Sequence, residues 1–422
     1  MDNTFDVIVV GGGPAGIMAS LSASQEGAKV LLLEKNKILG KKLLITGKGR
    51  SNLTKAEFNI KKMTEKYGKQ GGFLFFPLSL FGVKETIDFF NKKGLAIKIE
   101  RGKRVFPQSN SSKDVLQVLL NLLKKEKAKV MTNSQVDKFV LKKNKIIKII
   151  LKNDQEFSGQ NYILATGGKS FPGTGSVGEG YNWLKKMGHS IEKLRPALVP
   201  VKIKEGWPKK AQGLTLKNVK LTVFQKNKKQ DSRFGEMIFT YFGVSGPIVL
   251  DLSSKIGDLL DSPALKKEKE KVGLVLDLKP ALTLPVLDKR LQSDFTKYGK
   301  KLFKNSLDDL LPQKMIPIVV RLSRINPLKK TGEITKKERF ELAKLLKNIE
   351  MQVDGLLGFN AAIITSGGLS LKEIDAKTMK SKLIDNLFVA GEIIDLHGPT
   401  GGYNLQLCWS TGFLAGKSAA LK

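Results

Sequence analysis

The sequence predicts an α/β fold: a parallel-sheet domain written in two segments, interrupted by a β-barrel-like insert and a small helical domain. Three observations predict it. A Val- and Ile-rich run, Phe5–Val10, leads into Gly11-Gly12-Gly13-Pro14-Ala15-Gly16. A second buried-strand run, Leu387–Val389, ends in Ala390-Gly391-Glu392. Between them, from Pro196, the pattern turns to alternating strands and then to proline-broken helices. The expected parts are 1–195 and 367–422 for the sheet domain, 196–280 and 349–366 for the barrel-like domain, and 281–348 for the helical domain.

Phe5–Val10 alternates little, as a parallel strand buried on both faces does. The glycines after it fit G-x-G-x-x-G, and a helix-compatible stretch follows over Ile17–Glu26, ended by Gly27. A second strand, Lys29–Leu33, ends at Glu34. Each position has a physical reason. Gly11 permits a tight turn, Gly13 lets backbone approach a pyrophosphate, and Gly16 lets helix pack on strand. Pro14 and Ala15, between Gly13 and Gly16, belong to the same candidate site, and the free N–H groups of the helix end favour phosphate. Glu34 suits a ribose hydroxyl and repels a 2′-phosphate, which argues against NADP at this site. Strand, triplet, helix, strand and acid together predict a Rossmann-type dinucleotide site. A second match, Gly173-Thr174-Gly175-Ser176-Val177-Gly178, follows Phe171-Pro172 instead of a strand and reads as a loop.

Composition narrows the chemistry. At 422 residues the chain is too long for one compact core. No apolar run approaches the roughly 18 residues of a membrane span. Asp2 and Asp6 stand where a signal peptide carries positive charge, so a cytoplasmic protein is expected. One cysteine, Cys408, and two histidines, His189 and His397, argue against a disulfide or a metal centre, so no metal is expected. Lys+Arg 73 against Asp+Glu 39 gives +34, spread along the chain. A solvated surface needs far less, and a polyanionic partner, RNA above all, is expected.

Further blocks carry a family likeness. They are Gly40-Lys41-Lys42, Gly47-Lys48-Gly49-Arg50-Ser51-Asn52-Leu53-Thr54, Arg104-Val105-Phe106-Pro107, Ala165-Thr166-Gly167-Gly168, Thr240-Tyr241-Phe242-Gly243-Val244-Ser245-Gly246-Pro247, and Gly398-Pro399-Thr400-Gly401-Gly402-Tyr403-Asn404-Leu405-Gln406. In this order, nearly end to end, they resemble the BaiN/RdsA family of FAD-dependent oxidoreductases. The resemblance implies FAD as cofactor, with NADH or NADPH as reductant. It also implies reduction of a carbon–carbon double bond, in bile-acid intermediates or in a uridine of 23S ribosomal RNA. The net charge favours the ribosomal RNA branch. A small-metabolite reductase or oxidase and a non-catalytic flavin-bearing RNA-binding protein are the rival readings. Two positions depart from the family: Ser51 stands in place of its Cys, and His397-Gly398-Pro399 in place of its Asp-Gly.

Read physically, Ala165, Thr166, Gly167 and Gly168 end a strand in small residues that let backbone approach a cofactor. Gly391 and Glu392 do the same, with the acid near a ribityl chain in flavoproteins of this plan. Gly401, Gly402, Tyr403 and Asn404 open a helix whose positive end suits the pyrimidine side of a flavin. Gly49 and Arg50 offer a flexible turn and a phosphate-binding cation. Lys35, Lys42, Ser51, Asn52 and Val136 complete the candidate cofactor set. Cys408, within a helix expected over Leu405–Gly416, reads as a small buried hydrophobe. His397 and Tyr403 are the candidate proton donors, with Tyr241 a rival.

In the insert, Val199–Lys204, Leu214–Phe224, Glu236–Phe242, Ile248–Leu252 and Lys271–Leu278 read as strands. Short helices follow over Leu282–Asn348. The Lys266–Lys271 tract reads as a loop. Thr335-Lys336-Lys337-Glu338 is a capping-box signal, and the exposed face beyond it would offer Lys336, Lys337, Arg339, Lys344 and Lys347 to RNA.

Overall fold

The computed structural model describes residues 4–262 and 271–421, so residues 266–270 of the lysine tract read as a loop lie outside the described residues. The chain divides into two compact units, residues 1–195 with 363–422, and residues 196–362. The fold class expected from the sequence is the one found.

The first unit is built on one sheet. Strand Thr4–Val10 pairs in parallel with Val30–Leu33 on one side and Glu156–Leu164 on the other. Lys129–Met131 extends the first edge, and Leu387–Val389 adds in parallel to Glu156–Leu164. The late strand thus joins the same sheet as the glycine-turn strand. Val136–Lys142 and Lys145–Leu151 continue the sheet as an antiparallel meander. Val7, Ile8, Val9, Leu31, Leu32 and Ile163 are fully buried, which explains the near-continuous apolar runs.

Helix Pro14–Gln25 starts three residues before the expected Ile17, because Pro14 sits at its first turn, where a missing N–H costs nothing. It lies against the C-terminal helix Tyr403–Ala420, which extends beyond the expected Leu405–Gly416. The contact is backbone-close. A Cβ on Gly412 or Gly416 would stand 2.4 or 2.1 Å from the carbonyl oxygen of Ala15 or Ala19. Below the other end of this helix, Gln406 is fully buried and holds three segments together. Its Oε1 accepts from Thr54 at 2.6 Å, and its Nε2 donates to Thr86 at 2.9 Å and Ser410 at 3.0 Å.

The second unit carries a closed antiparallel barrel. Its order is Val201–Ile203, Gly243–Ser245, Lys228–Thr240, Thr215–Gln225, Val272–Asp277 and Ile349–Leu356, and the last pairs with the first. One expected strand is corrected. Ile248–Leu252 lies in helix Pro247–Leu260. Gly246, at φ 95°, turns the chain, and Pro247 then starts the helix; the apolar run that resembled a strand is its buried face. Helices Leu284–Lys297, Ile316–Ser323 and Lys336–Lys347 share one hydrophobic core with the barrel, through Leu276, Leu287, Val319 and Leu342. The capping box forms: Glu338 N donates to Thr335 Oγ1 at 3.2 Å, and Thr335 N to Glu338 Oε2 at 2.8 Å.

Candidate functional site

The three motif glycines do three different jobs. Gly11 has φ 110°, and a Cβ there would lie 2.5 Å from the Ala165 carbonyl oxygen. Strand ends 4–10 and 156–164 are therefore in backbone contact at this point. A Cβ on Gly16 would lie 1.8 Å from the Gly11 carbonyl oxygen, so helix and turn touch. A Cβ on Gly13 would meet nothing within 4 Å. Gly13 instead faces a cavity that it lines with Gly11, Pro14, Ala15, Glu34, Lys35, Lys42, Val136, Ala165, Thr166, Gly167, Gly391 and Glu392. Gly13 also caps the helix without a side-chain acceptor, which leaves the first helical N–H groups for an anion.

Glu34 is buried at the end of its strand. Its Oε2 accepts from Gly12 N at 2.8 Å, and its Oε1 from Asn36 N and Nδ2 at 2.7 and 2.6 Å. A carboxylate has about four acceptor positions, so one is left for a ribose hydroxyl. Thr166 Oγ1, on the cavity wall, is buried with no hydrogen-bond partner. A cradle at Gly13 that a side chain would fill, a buried acid and an orphaned hydroxyl together fit the adenosine and pyrophosphate portion of FAD.

Lys42 and Glu392 meet across the cavity at 2.8 Å. Glu392 also accepts from Ser170 Oγ at 2.7 Å and Thr365 N at 2.9 Å, and Lys42 donates to Ser170 Oγ at 2.8 Å. A Cβ on Gly168 would strike Thr365 Oγ1 at 2.4 Å and Glu392 at 2.8 Å. These residues form a framework that closes one wall. Lys35 is paired with Glu179 at 2.6 Å, and Gln135 donates to the same acid.

Sequence reasoning missed Asn36, Gln135, Thr174, Gly175, Ser176 and Glu179, all of which line this cavity. The second glycine-rich match is a loop with a short 3-10 turn, Pro172–Thr174, and it leads into helix Glu179–Lys186. It lines the same cavity as the first glycine turn, and Asn36 Nδ2 donates to Thr174 O at 3.3 Å. Its glycine spacing was the available signal.

Several sequence expectations change. Arg50, expected to hold a phosphate, is already engaged with Glu100 and with Asn110 Oδ1, and its guanidinium lies 4.1 Å from the Phe106 ring centroid. Asn404 holds the preceding loop instead of reaching toward a flavin: it accepts from Gly398 N at 2.8 Å and donates to Gly398 O at 2.9 Å. Tyr403 is buried, edge-on to Tyr67, whose hydroxyl donates to the Tyr403 backbone carbonyl at 2.8 Å, so its ring packs that loop. On helix Lys336–Lys347, Arg339 is held by Asp288 at 2.8 Å. Lys347 is held by Asp277 at 2.9 Å and by the carbonyls of Lys279 and Leu282. Both are tethers of the fold, while Lys336, Lys337 and Lys344 are exposed.

Gly401 and Gly402, at φ 109° and 104°, turn the chain into the C-terminal helix, and a Cβ on Gly402 would lie 2.5 Å from the Thr54 backbone. The 49–54 segment is thereby packed at that helix end. Gly49 has φ 83°. Ser51 Oγ and Asn52 Oδ1 are buried without partners, further orphans in a segment the sequence assigns to the cofactor. His397 is half-buried in the loop that Asn404 holds. Cys408 lines the cavity, and burial, then the nearby Glu392 charge, push its thiol up to about 12, so it stays neutral.

His189 is not part of this site. Its Nδ1 meets Glu373 at 2.8 Å and its Nε2 meets Ser381 Oγ at 3.0 Å. The connectivity is that of a hydrolytic triad, but Ser381 is buried and its Oγ already accepts from Leu383 and Ile384 N–H groups. Burial opposes ionisation of Glu373, yet hydrogen bonds from Ser190 and His189 outweigh it and hold its carboxyl below the ordinary 4.5. A depressed carboxyl stabilises the fold above its unfolded value, and that stability is lost as pH falls through the folded value. Acid unfolding followed by tryptophan fluorescence is therefore expected to shift for Glu373→Gln: the variant is less stable at neutral pH, and its disadvantage shrinks below pH 4.5.

Among the described residues no helix is long and apolar enough to cross a membrane, and no cluster of His, Cys, Asp or Glu is arranged to hold a metal.

Comparison with known proteins agrees with this geometry. A family model described as the HI0933-like protein Rossmann domain matches residues 5–418. A 3-dehydro-bile acid delta(4,6)-reductase of Clostridium scindens is 31% identical, covering 98% of this chain and 98% of its own. The ribosomal RNA dihydrouridine synthase of Escherichia coli is 27% identical, covering 97% of this chain and 96% of its own. Among solved structures, the 3-ketosteroid-delta4-(5alpha)-dehydrogenase of Rhodococcus jostii RHA1 is similar in fold, with TM-score 0.52 and 15% identity over 99% of this chain and 97% of that one. An open-conformation flavocytochrome c3 fumarate reductase gives TM-score 0.51 and 17% identity over 99% and 78%.

Proposed function

The chain belongs to the HI0933-like Rossmann family of FAD-dependent oxidoreductases, and from that premise we propose that it reduces a uridine of 23S ribosomal RNA to dihydrouridine. The observation that carries the substrate is the net charge of +34 on a chain that also carries an intact cofactor cradle. Similarity over nearly the whole chain to a ribosomal RNA dihydrouridine synthase supports it.

FAD held in this cradle would supply hydride chemistry for reduction at C6 of the uracil ring, with NADH or NADPH as the reductant. The chain's own residues do the rest. Gly13 and the helix end behind it hold the pyrophosphate, and Glu34 holds the ribose. The Lys42–Glu392–Ser170 framework fixes the wall beside them. The end of the C-terminal helix at Gly402, which has no side-chain cap, would favour negative charge on the pyrimidine side of a flavin held against it. His397, on the loop that Asn404 anchors, is the candidate donor of the proton that C5 takes. The uracil must leave its stack to react, at a cost of a few kcal/mol. Exposed lysines, Lys336, Lys337 and Lys344 among them, help hold the RNA.

One specific observation favours a second reading. The bile-acid reductase is the more identical of the two relatives, and on that reading the substrate is a small unsaturated metabolite. Mass mapping of 23S ribosomal RNA from a deletion strain separates the two. Loss of one dihydrouridine, restored by the wild-type gene, is expected. An unchanged modification pattern overturns the RNA reading.

A further inference from the structure

The second unit holds a groove that the reaction does not use. Helix Ile316–Ser323 forms one wall. The other is a zipped pair of segments, in which Phe303 N donates to Lys329 O at 2.8 Å and Lys304 N to Pro327 O at 3.2 Å. Ile316, Val320 and Ile325 form an apolar floor, and Lys304, Arg321 and Arg324 stand around it. No acid lines the groove, and all three cations are exposed.

Arginine is scarce in this lysine-rich chain, and most of it is committed to acids. Arg50 and Arg104 pair with Glu100, Arg233 with Asp231, Arg290 with Asp294, and Arg339 with Asp288. Arg321 and Arg324 make no such ion pair among the described residues. A guanidinium offers a planar fork that grips a phosphate with two parallel hydrogen bonds, which a lysine cannot do. Two such forks three residues apart, a third cation on the facing wall and an apolar floor between them match a sugar–phosphate strand with an unstacked base.

Resting on the reading of RNA as substrate, we propose that this groove is an anchoring site for the RNA, formed wholly within the second unit. It recognises consecutive phosphates on both walls, and the floor takes apolar surface of a base or sugar. The uridine that reacts is then one element of a larger footprint, and the groove supplies affinity without chemistry.

The test is salt-dependent binding of a 23S ribosomal RNA transcript to the flavin-loaded protein. The Arg321→Gln/Arg324→Gln variant is compared with Lys124→Gln/Lys125→Gln, which removes the same charge from the exposed end of a helix in the first unit. The arginine variant is expected to lose about tenfold or more in affinity, and its salt slope to fall by about 1 per lost phosphate contact. The lysine variant is expected to lose much less. Arg321→Lys/Arg324→Lys is expected to keep the slope and still lose affinity, because charge survives and the fork does not. Flavin content and thermal midpoint, unchanged in all three, exclude misfolding. Equal losses in the two Gln variants overturn the groove and leave only a diffuse basic surface. Unaltered RNA binding in the arginine variant also overturns it and points to a different occupant, such as an acidic protein segment. Wild-type protein that takes up no RNA overturns both the groove and the substrate reading.

Discussion

A Gly13→Val protein is expected to fold, to purify colourless and to lose about a hundredfold or more in affinity for FAD, roughly 3 kcal/mol. Gly13 has φ −82° and ψ −176°, an extended conformation that valine adopts readily. Its Cβ would meet no atom within 4 Å. The new methyl groups therefore cost the fold little and occupy the space in front of the uncapped helix end. Gly16→Ala is the contrasting change, since its Cβ would stand 1.8 Å from the Gly11 carbonyl oxygen and must push helix from strand. That variant is expected to be unstable or insoluble. Flavin absorbance of the purified protein, FAD titration and the urea midpoint separate the two outcomes. A yellow Gly13→Val protein with wild-type affinity would place the pyrophosphate elsewhere.

The second large effect is expected at Glu392. Glu392→Ala removes the acceptor of Lys42, Ser170 and Thr365 N at once. The two charged side chains are only 21% and 15% exposed, so the ammonium left behind is poorly solvated. Breaking a fully buried pair costs about 3–5 kcal/mol, and partial exposure brings this to about 3. Adding Lys42→Met to Glu392→Ala removes both charges and is expected to recover at least half of the loss. Urea unfolding followed by tryptophan fluorescence measures both. A double variant no more stable than Glu392→Ala would show that the backbone contact to Thr365, not the ion pair, carries the wall.

What the sequence made legible follows from where the required residues lie. The glycine turn was readable because its strand, turn, helix and closing acid are contiguous, and each glycine has a local reason. The capping box at Thr335 and Glu338 was readable for the same cause. Ile248–Leu252 was misread because a short apolar, β-branched run suits a strand and a buried helix face equally; Gly246-Pro247 was the cue that a helix begins there. The fates of Arg50, Arg339 and Lys347 were illegible because their partners, Glu100, Asp288 and Asp277, are distant in sequence. A charged residue looks free until the fold shows which acid it meets. Thr174–Ser176 was set aside for lack of a preceding strand, although a loop can line a cavity that another strand–helix turn opens.

The clasp between helices Pro14–Gln25 and Tyr403–Ala420 has a consequence for biosynthesis. A nascent chain displays the glycine turn almost at once, but the seam against Ala15 and Ala19 is filled by Gly412 and Gly416. Until that late segment emerges, the early helix keeps an uncovered apolar flank, and the sheet still lacks Leu387–Val389. Such sequence-distant closure makes for slow maturation, in which truncated products are prey for chaperones and proteases before any cofactor is captured.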